Sequence, residues 1–234
     1  MIYLALGRRE QGKTTLAYYI VSRLPRRLIF DPRGMVRTDK GHTFNRGDEL
    51  FRNGMDAFEA HELTEVTLTP IGNVDSAFQV FCREAANYVR KNPDDRVGIL
   101  IDEIRFMDLT NEDLDWILRC SSVENVHIVF TGHRPKDVPT DIRAIADRWL
   151  LFSFTLPRDV EIIEDQCSPR VATAVQGLQA RQFVTWDDRT ATATFHRDPG
   201  VWFVETRPKR RERGEIVETM PIGENVVDKG SLFP

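Results

Sequence analysis

Gly7-Arg8-Arg9-Glu10-Gln11-Gly12-Lys13-Thr14 decides how the rest of the chain is read. A glycine, four free positions and then Gly-Lys-Thr is the spacing of a phosphate-cradling loop. The apolar run Ile2-Tyr3-Leu4-Ala5-Leu6 before it reads as a strand, and a helical pattern over 13–24 follows it. In that setting backbone N–H groups of the loop and of the helix N-terminus point at phosphate oxygens. Lys13 is expected to neutralise the β and γ phosphates of ATP, and Thr14 to ligate Mg²⁺. The nucleotide-binding set is therefore Gly7, Arg8, Arg9, Glu10, Gln11, Gly12, Lys13, Thr14 and Thr15. Glu10 and Gln11 are bulky for such a loop, so their side chains are expected to point away from the phosphates.

A second stretch, Val97-Gly98-Ile99-Leu100-Ile101-Asp102-Glu103, is an apolar strand that ends in two carboxylates. Open α/β sheets place their ligands at the carboxyl ends of strands. Asp102 is expected to hold Mg²⁺ through water, and Glu103 to act as general base on the attacking water. The plain alternative is an Asp-Glu pair that only caps the next segment. A strand over 65–69 and a helix over 74–91 separate the two motifs. That insertion fits RecA-like P-loop ATPases better than GTPases, and no Asn-Lys-x-Asp guanine signature occurs. At the end of a further strand stands Thr131-Gly132-His133-Arg134-Pro135. His133 is the candidate to sense the γ-phosphate, against the plainer reading of a loop histidine beside a surface arginine.

Periodicity fills in the rest. Strands are expected at 2–6, 27–30, 65–69, 97–101, 126–131 and 149–154, and helices at 13–24, 48–61, 74–91, 111–120 and 140–146. Such alternation predicts an α/β fold with a mostly parallel central sheet and helices on both faces. Beyond it, 157–167 and 169–179 read as helices and 181–186 with 190–196 as a hairpin around Asp187-Asp188-Arg189. A strand is possible at 201–204. The expected organisation is an ATPase core over 1–156, helices and hairpin over 157–204 completing the same domain, and an extended basic tail over 205–234.

The bulk properties narrow the partners. With 234 residues and 41% hydrophobic content, the chain can bury one good core. Its net charge of −4 excludes a surface that is basic all round, so any DNA contact comes from a local patch. One such patch is the run 207–213, with five positive residues and one Glu. Its phosphate-binding, subunit-docking and merely solvated readings all stay open. Cys82, Cys120 and Cys167 form no CxxC pair, which indicates neither a disulfide framework nor a zinc ribbon. No signal peptide and no apolar run of membrane-spanning length is read.

The residues around His133 carry a family resemblance. A strand ending in a polar residue followed by Arg-Pro resembles the FtsK and HerA ATPases, which usually have Gln where this chain has His133. The stretches Val138-Pro139-Thr140-Asp141-Ile142-Arg143-Ala144, Ala146-Asp147 and Leu151-Phe152 are similar to viral genome-packaging ATPases of that superfamily, as is Gly7-Arg8-Arg9 before Gly12-Lys13-Thr14-Thr15-Leu16-Ala17. The resemblance covers about residues 1–155. It implies an ATP-hydrolysing DNA translocase that packages a viral genome as a homo-oligomeric ring, a hexamer, on double-stranded DNA. It also implies possible contact with capsid vertex proteins, and a location in the host cytoplasm or the virion. Ring ATPases of this kind take an arginine finger from the neighbouring subunit. Arg119 is the nearest match, Arg134 beside His133 is a further catalytic candidate, and Arg105, Arg143 and Arg148 remain open. Three rival readings stand beside this one: a Zot-like phage assembly ATPase, whose relatives usually carry a membrane span, a nucleotide-gated assembly protein, and a small-molecule kinase using Arg33 and Arg37.

Overall fold

The structure is a computed structural model that describes residues 1–36, 42–44, 49–120, 124–196 and 218–220. The expected strand at 201–204, the basic run 207–213 and Arg37 lie outside the described residues. In chain order the elements are β1 (Ile2–Leu6), α1 (Lys13–Ser22), β2 (Arg26–Phe30), β3 (His42–Phe44), α2 (Glu49–Glu59), β4 (Glu65–Leu68) and α3 (Val74–Lys91). There follow β5 (Val97–Ile101), α4 (Glu112–Cys120), β6 (Val126–Gly132), α5 (Thr140–Ala144), β7 (Arg148–Leu151), α6 (Pro157–Gln166), α7 (Pro169–Gln176), β8 (Phe183–Asp187), β9 (Thr192–His196) and β10 (Glu218–Met220). Each of the elements expected from periodicity within the described residues is present, with ends that differ by a few residues. The short strands β3 and β10 are additional.

The residues gather into two compact units. The first holds Met1, Ile2 and 17–131. Its strands pair in the order β6, β5, β2, β4, β3, all parallel, with Ile101 opposite Phe130 on one side and Phe30 on the other. All five residues of β5 are buried, as a strand covered on both faces requires. Gly98 in that strand meets α1 so closely that a Cβ would lie 2.8 Å from the Val21 Cβ. Helix α3 starts on Asn73, whose Oδ1 accepts from Ser76 N at 3.0 Å, and carries Arg90 and Lys91 in its last turn. Its apolar face brings Phe78 and Phe81 against Phe30, with ring centroids 5.1 and 5.4 Å apart. The buried Arg26 guanidinium lies 3.9 Å over the Phe58 ring and donates to Leu63 O and to the Tyr88 hydroxyl. Burial pushes the Tyr88 phenol above its ordinary range.

The second unit holds residues 3–16 and the described residues from 132 onwards. Here β7 runs parallel to β1, and β8, β9 and β10 add antiparallel strands beyond it. The expected hairpin is thus β8–β9. Part of the segment read as an extended tail forms β10, with Glu218 opposite Phe195. Strand β7 ends earlier than its apolar run suggests. The Phe152 amide still bonds Leu6 O, but the Ser153 amide donates to the Gln11 side chain at 2.9 Å instead of continuing the ladder. Helices α6 and α7 start on Pro157 and Pro169, where a missing N–H costs nothing, and Ser168 Oγ caps the second by accepting from Val171 N. The first unit is thus parallel throughout and the second mixes one parallel pairing with antiparallel ones; over the described strands parallel pairings prevail, and with the flanking helices this is the expected mixed, mostly parallel α/β class.

His196 on β9 is buried in the second unit, stacked on Phe183 at 4.2 Å and bonded to the Thr185 hydroxyl at 3.0 Å. Burial holds its imidazole down to about 3, so it stays neutral in the folded chain while the unfolded chain protonates it near its ordinary value of 6.5. Stability from this residue is complete above pH ~6.5 and falls by about 1.4 kcal/mol per pH unit below it, until the folded value is reached. In urea unfolding between pH 7 and pH 4, His196→Asn is expected to flatten the acid loss relative to wild type. An equally steep loss in both would remove the assignment.

Candidate active site

The phosphate-loop sequence sits in the second unit, between β1 and the start of α1. Its shape is fixed by close packing. Gly7 has φ of 152°, and a Cβ on it would stand 2.5 Å from the Phe152 Cβ, so only glycine fits. Gly12 has φ of 96° and Glu10 is also left-handed at 61°. The Gly7 amide donates to Gly132 O at 3.2 Å, and Gln11 holds Ser153, so both ends of the turn are tied to neighbouring backbone. Arg8, Arg9, Glu10 and Thr15 are exposed, Gln11, Gly12 and Thr14 are half-buried, and Lys13 is buried. The Lys13 ammonium donates to Arg8 O at 2.7 Å, which keeps the charge folded over its own loop. A loop whose bend is held open by glycine, with a buried ammonium at a helix start, has the donor set an oxyanion of a nucleotide requires.

The carboxylate pair lies in the first unit, at the end of β5. Asp102 is 1% exposed and Glu103 is buried. Asp102 N bonds Phe30 O, extending the β5–β2 ladder by one residue. Glu103 then turns into the left-handed region, with φ 55° and ψ 57°, and starts a one-turn helix over Ile104–Phe106. That conformation is costly for a residue with a Cβ. The Thr131 hydroxyl holds it: Oγ1 accepts from Glu103 N at 2.9 Å and donates to Asp102 Oδ1 at 2.5 Å. One side chain thus orients both acidic residues. The charge of Glu103 is met by Arg33 Nη1 at 3.5 Å and Arg105 Nε at 3.6 Å. A hard-oxygen donor such as Asp102 suits Mg²⁺, which keeps much of its water and takes few protein ligands.

Of the residues singled out in the sequence, Asp102, Glu103 and Arg105 meet in the first unit, and Lys13 with its loop forms in the second. His133, in the second unit, follows β6 directly and is half-buried. The arginines separate by environment. Arg134 Nε is paired at 2.9 Å with Asp159, which is buried on α6, and Arg148 Nε with Asp187 at 2.8 Å. Arg143 donates to Thr140 Oγ1 within α5. Arg119 lies on the exposed face of α4 in an i, i+4 pair with Asp115. Thr131 lies inside the Thr131–Pro135 motif, but its link to the carboxylates has no signal in the local sequence. The register that places it one step past Phe130, opposite Asp102, supplies that link. Arg33, a residue of the kinase reading, pairs with Glu103, a contact with no local sequence signal.

Neither the family models nor the curated proteins compared with this chain give a match. Solved structures do, and they define the class first: a RecA-like P-loop NTPase fold. The genome packaging NTPase B204 from Sulfolobus turreted icosahedral virus 2, in complex with ATP-gammaS, superposes with a TM-score of 0.66 and 18% identity, over 83% of this chain and 95% of that one. The same protein in complex with AMP gives 0.65 and 16%, over 85% and 97%. B204, the DNA-packaging ATPase from Sulfolobus Turreted Icosahedral Virus, gives 0.63 and 17%, over 83% and 96%. At such identities the likeness is one of fold.

Removing the Thr131 hydroxyl takes a partner from a buried carboxylate and from the left-handed Glu103 amide. Thr131→Val is expected to lose about 1–3 kcal/mol in urea unfolding, and Thr131→Ser, which keeps the hydroxyl, less than half of that. Equal losses for the two variants would mean that packing rather than the hydroxyl matters.

Proposed function

We propose that this chain is an ATP-hydrolysing DNA translocase of the kind that packages viral genomes. The observation that carries the reading is the fold likeness, over 83% of the chain, to a genome packaging NTPase in complex with ATP-gammaS, coupled to a chain that has its own Gly-x-x-x-x-Gly-Lys-Thr loop between strand and helix. A fold alone hosts many functions, so the roles rest on the residues.

In this reading the phosphates of ATP lie on the loop from Gly7 to Thr15, with Lys13 leaving Arg8 O to meet them. Thr14 and, through water, Asp102 are the residues that would hold Mg²⁺, which when bound neutralises charge on the phosphate oxygens. Glu103 accepts the proton of the water that attacks the γ-phosphorus. His133 senses the γ-phosphate. Arg119, exposed and in a surface pair of little energetic weight, stays the candidate for a finger reaching a neighbouring subunit. Arg134, beside His133, stays the further catalytic candidate, with its guanidinium paired to Asp159 on α6. The working form is a homo-oligomeric ring, taken as a hexamer, on double-stranded DNA, with capsid vertex proteins as further partners and the host cytoplasm or virion as its place. Among the described residues no helix is long and apolar enough to cross a membrane. The nucleotide machinery belongs to 1–156, 157–204 completes that domain, and the basic run in 205–234 is its tail.

The test is phosphate release against protein concentration, with and without duplex DNA. Specific activity is expected to rise with concentration and with DNA. Glu103→Gln should keep ATP binding and lose at least about 10²-fold in turnover, and Lys13→Ala should lose binding. Full activity in a DNA-free monomer, or a phosphorylated acceptor in place of free phosphate, would argue against the motor.

A further inference from the structure

Arg8 and Arg9, in the phosphate loop itself, are exposed, and neither side chain makes a hydrogen bond, ion pair or ring contact among the described residues. Elsewhere in the same unit Arg134, Arg148 and Arg189 each hold a carboxylate, and Arg143 bonds the Thr140 hydroxyl. The loop from Gly7 to Thr14 carries three positive side chains, Arg8, Arg9 and Lys13, against the single acid Glu10. Glu10 is exposed too and pairs with neither arginine. Like charges gathered on one short loop repel one another, and an anion laid among them relieves that repulsion. The backbone beneath them is fixed. Gly7 is packed on Phe152, Gln11 holds the Ser153 amide, and Arg8 O accepts from the Lys13 ammonium at 2.7 Å. Glu10, left-handed at φ 61°, turns the chain directly after Arg9. What can move in this loop is its exposed side chains.

Resting on the reading of this loop as the ATP site, we propose that Arg8 and Arg9 are catalytic residues that hold the γ-phosphoryl group of ATP in its transition state, within their own subunit. In hydrolysis the water oxygen bonds to the γ-phosphorus, the bond to the bridging oxygen breaks, the water proton passes to the base and ADP leaves with the bonding pair. Charge spreads over the γ oxygens and the leaving oxygen as this happens. Lys13 meets it with a compact point charge on a buried stem. A guanidinium adds a planar fork that can bond two phosphate oxygens at once. A side chain with no bond to give up can tighten onto that charge as it develops. A contact stronger in the transition state than in the ground state raises kcat and leaves substrate affinity almost unchanged. The charge is supplied in cis, in addition to any arginine that a neighbouring subunit brings.

The experiment compares wild type with Arg8→Ala/Arg9→Ala in the full chain. Phosphate release is followed with ATP varied, and equilibrium binding is measured for ATP-gammaS and for ADP with aluminium fluoride, which mimics the phosphoryl group in transfer. Both positions are exposed, so the urea midpoint should not move. In the double variant kcat is expected to fall at least about 10²-fold, with and without duplex DNA alike. KM for ATP and the affinity for ATP-gammaS should stay within about threefold, while the affinity for the fluoride complex drops at least about tenfold. An unchanged kcat overturns the proposal. So does an equal loss of ATP-gammaS and fluoride-complex binding, which would make the pair ground-state anchors, or a loss confined to the DNA-stimulated rate, which would put them on nucleic acid. For the choice of subunit, the double variant is co-expressed with Lys13→Ala and assemblies holding both chains are isolated through two different tags. They should stay inert, and recovered hydrolysis, which requires the arginines to act across an interface, overturns the proposal. Lys13→Ala alone separates the two levels. If it binds and hydrolyses ATP like wild type, the reading of the loop has failed. If it is inert while the arginine variant matches wild type, only the role of the arginines has failed.

Discussion

The Thr131 hydroxyl is the hinge of the acidic half of this structure. It donates a hydrogen bond to Asp102 and accepts one from the amide of Glu103, so that one group supports both a buried carboxylate and a backbone turned left-handed against its steric preference. Neither could persist alone. A carboxylate out of reach of water needs partners, and a glutamate at positive φ needs a structure that outweighs the strain. Their delivery depends on β5 and β6 lying parallel and in register, since a slip of one residue would turn Thr131 to the opposite face. The fully apolar β5 secures that register by burial on both sides.

The phosphate-loop half follows a different logic, in which backbone shape comes before charge. Gly7 is required by the Phe152 side chain pressed against it, and Gln11 spends its amide on the Ser153 backbone. The loop is therefore held by Phe152 and Ser153, the two residues after β7, and its curvature is set by packing within the chain. Lys13 waits on Arg8 O, a weak neutral partner that a phosphate oxygen outcompetes. Farther along the same unit, Arg134 and Asp159 form a half-buried pair that fastens α6 to the segment after His133.

Much of this was legible in the sequence because it is written in local pattern. The period of apolar residues gives α3 and β5 their observed bounds, and the glycine spacing marks the loop. What was not legible depends on register and on contacts between distant segments. Thr131 lay inside a motif already singled out, yet its partners follow only from how far β6 runs alongside β5. Arg33 stands 70 positions from Glu103, and nothing near it in sequence announces an acidic partner. The early end of β7 came from a side chain, Gln11, that took over a backbone bond. The strand β10 lies in a segment whose charge suggested only a tail.

Charge then links composition to the proposed function. A chain with a net charge of −4 cannot hold a polyanion by its overall field, so contact must fall to a few cations set apart from the excess of acid. Several of the described arginines are spent on aspartates or glutamates, among them Arg27, Arg134, Arg148 and Arg189. Arg33 and Arg105 share a partner instead: both face the carboxylate proposed to do the chemistry, at 3.5 and 3.6 Å.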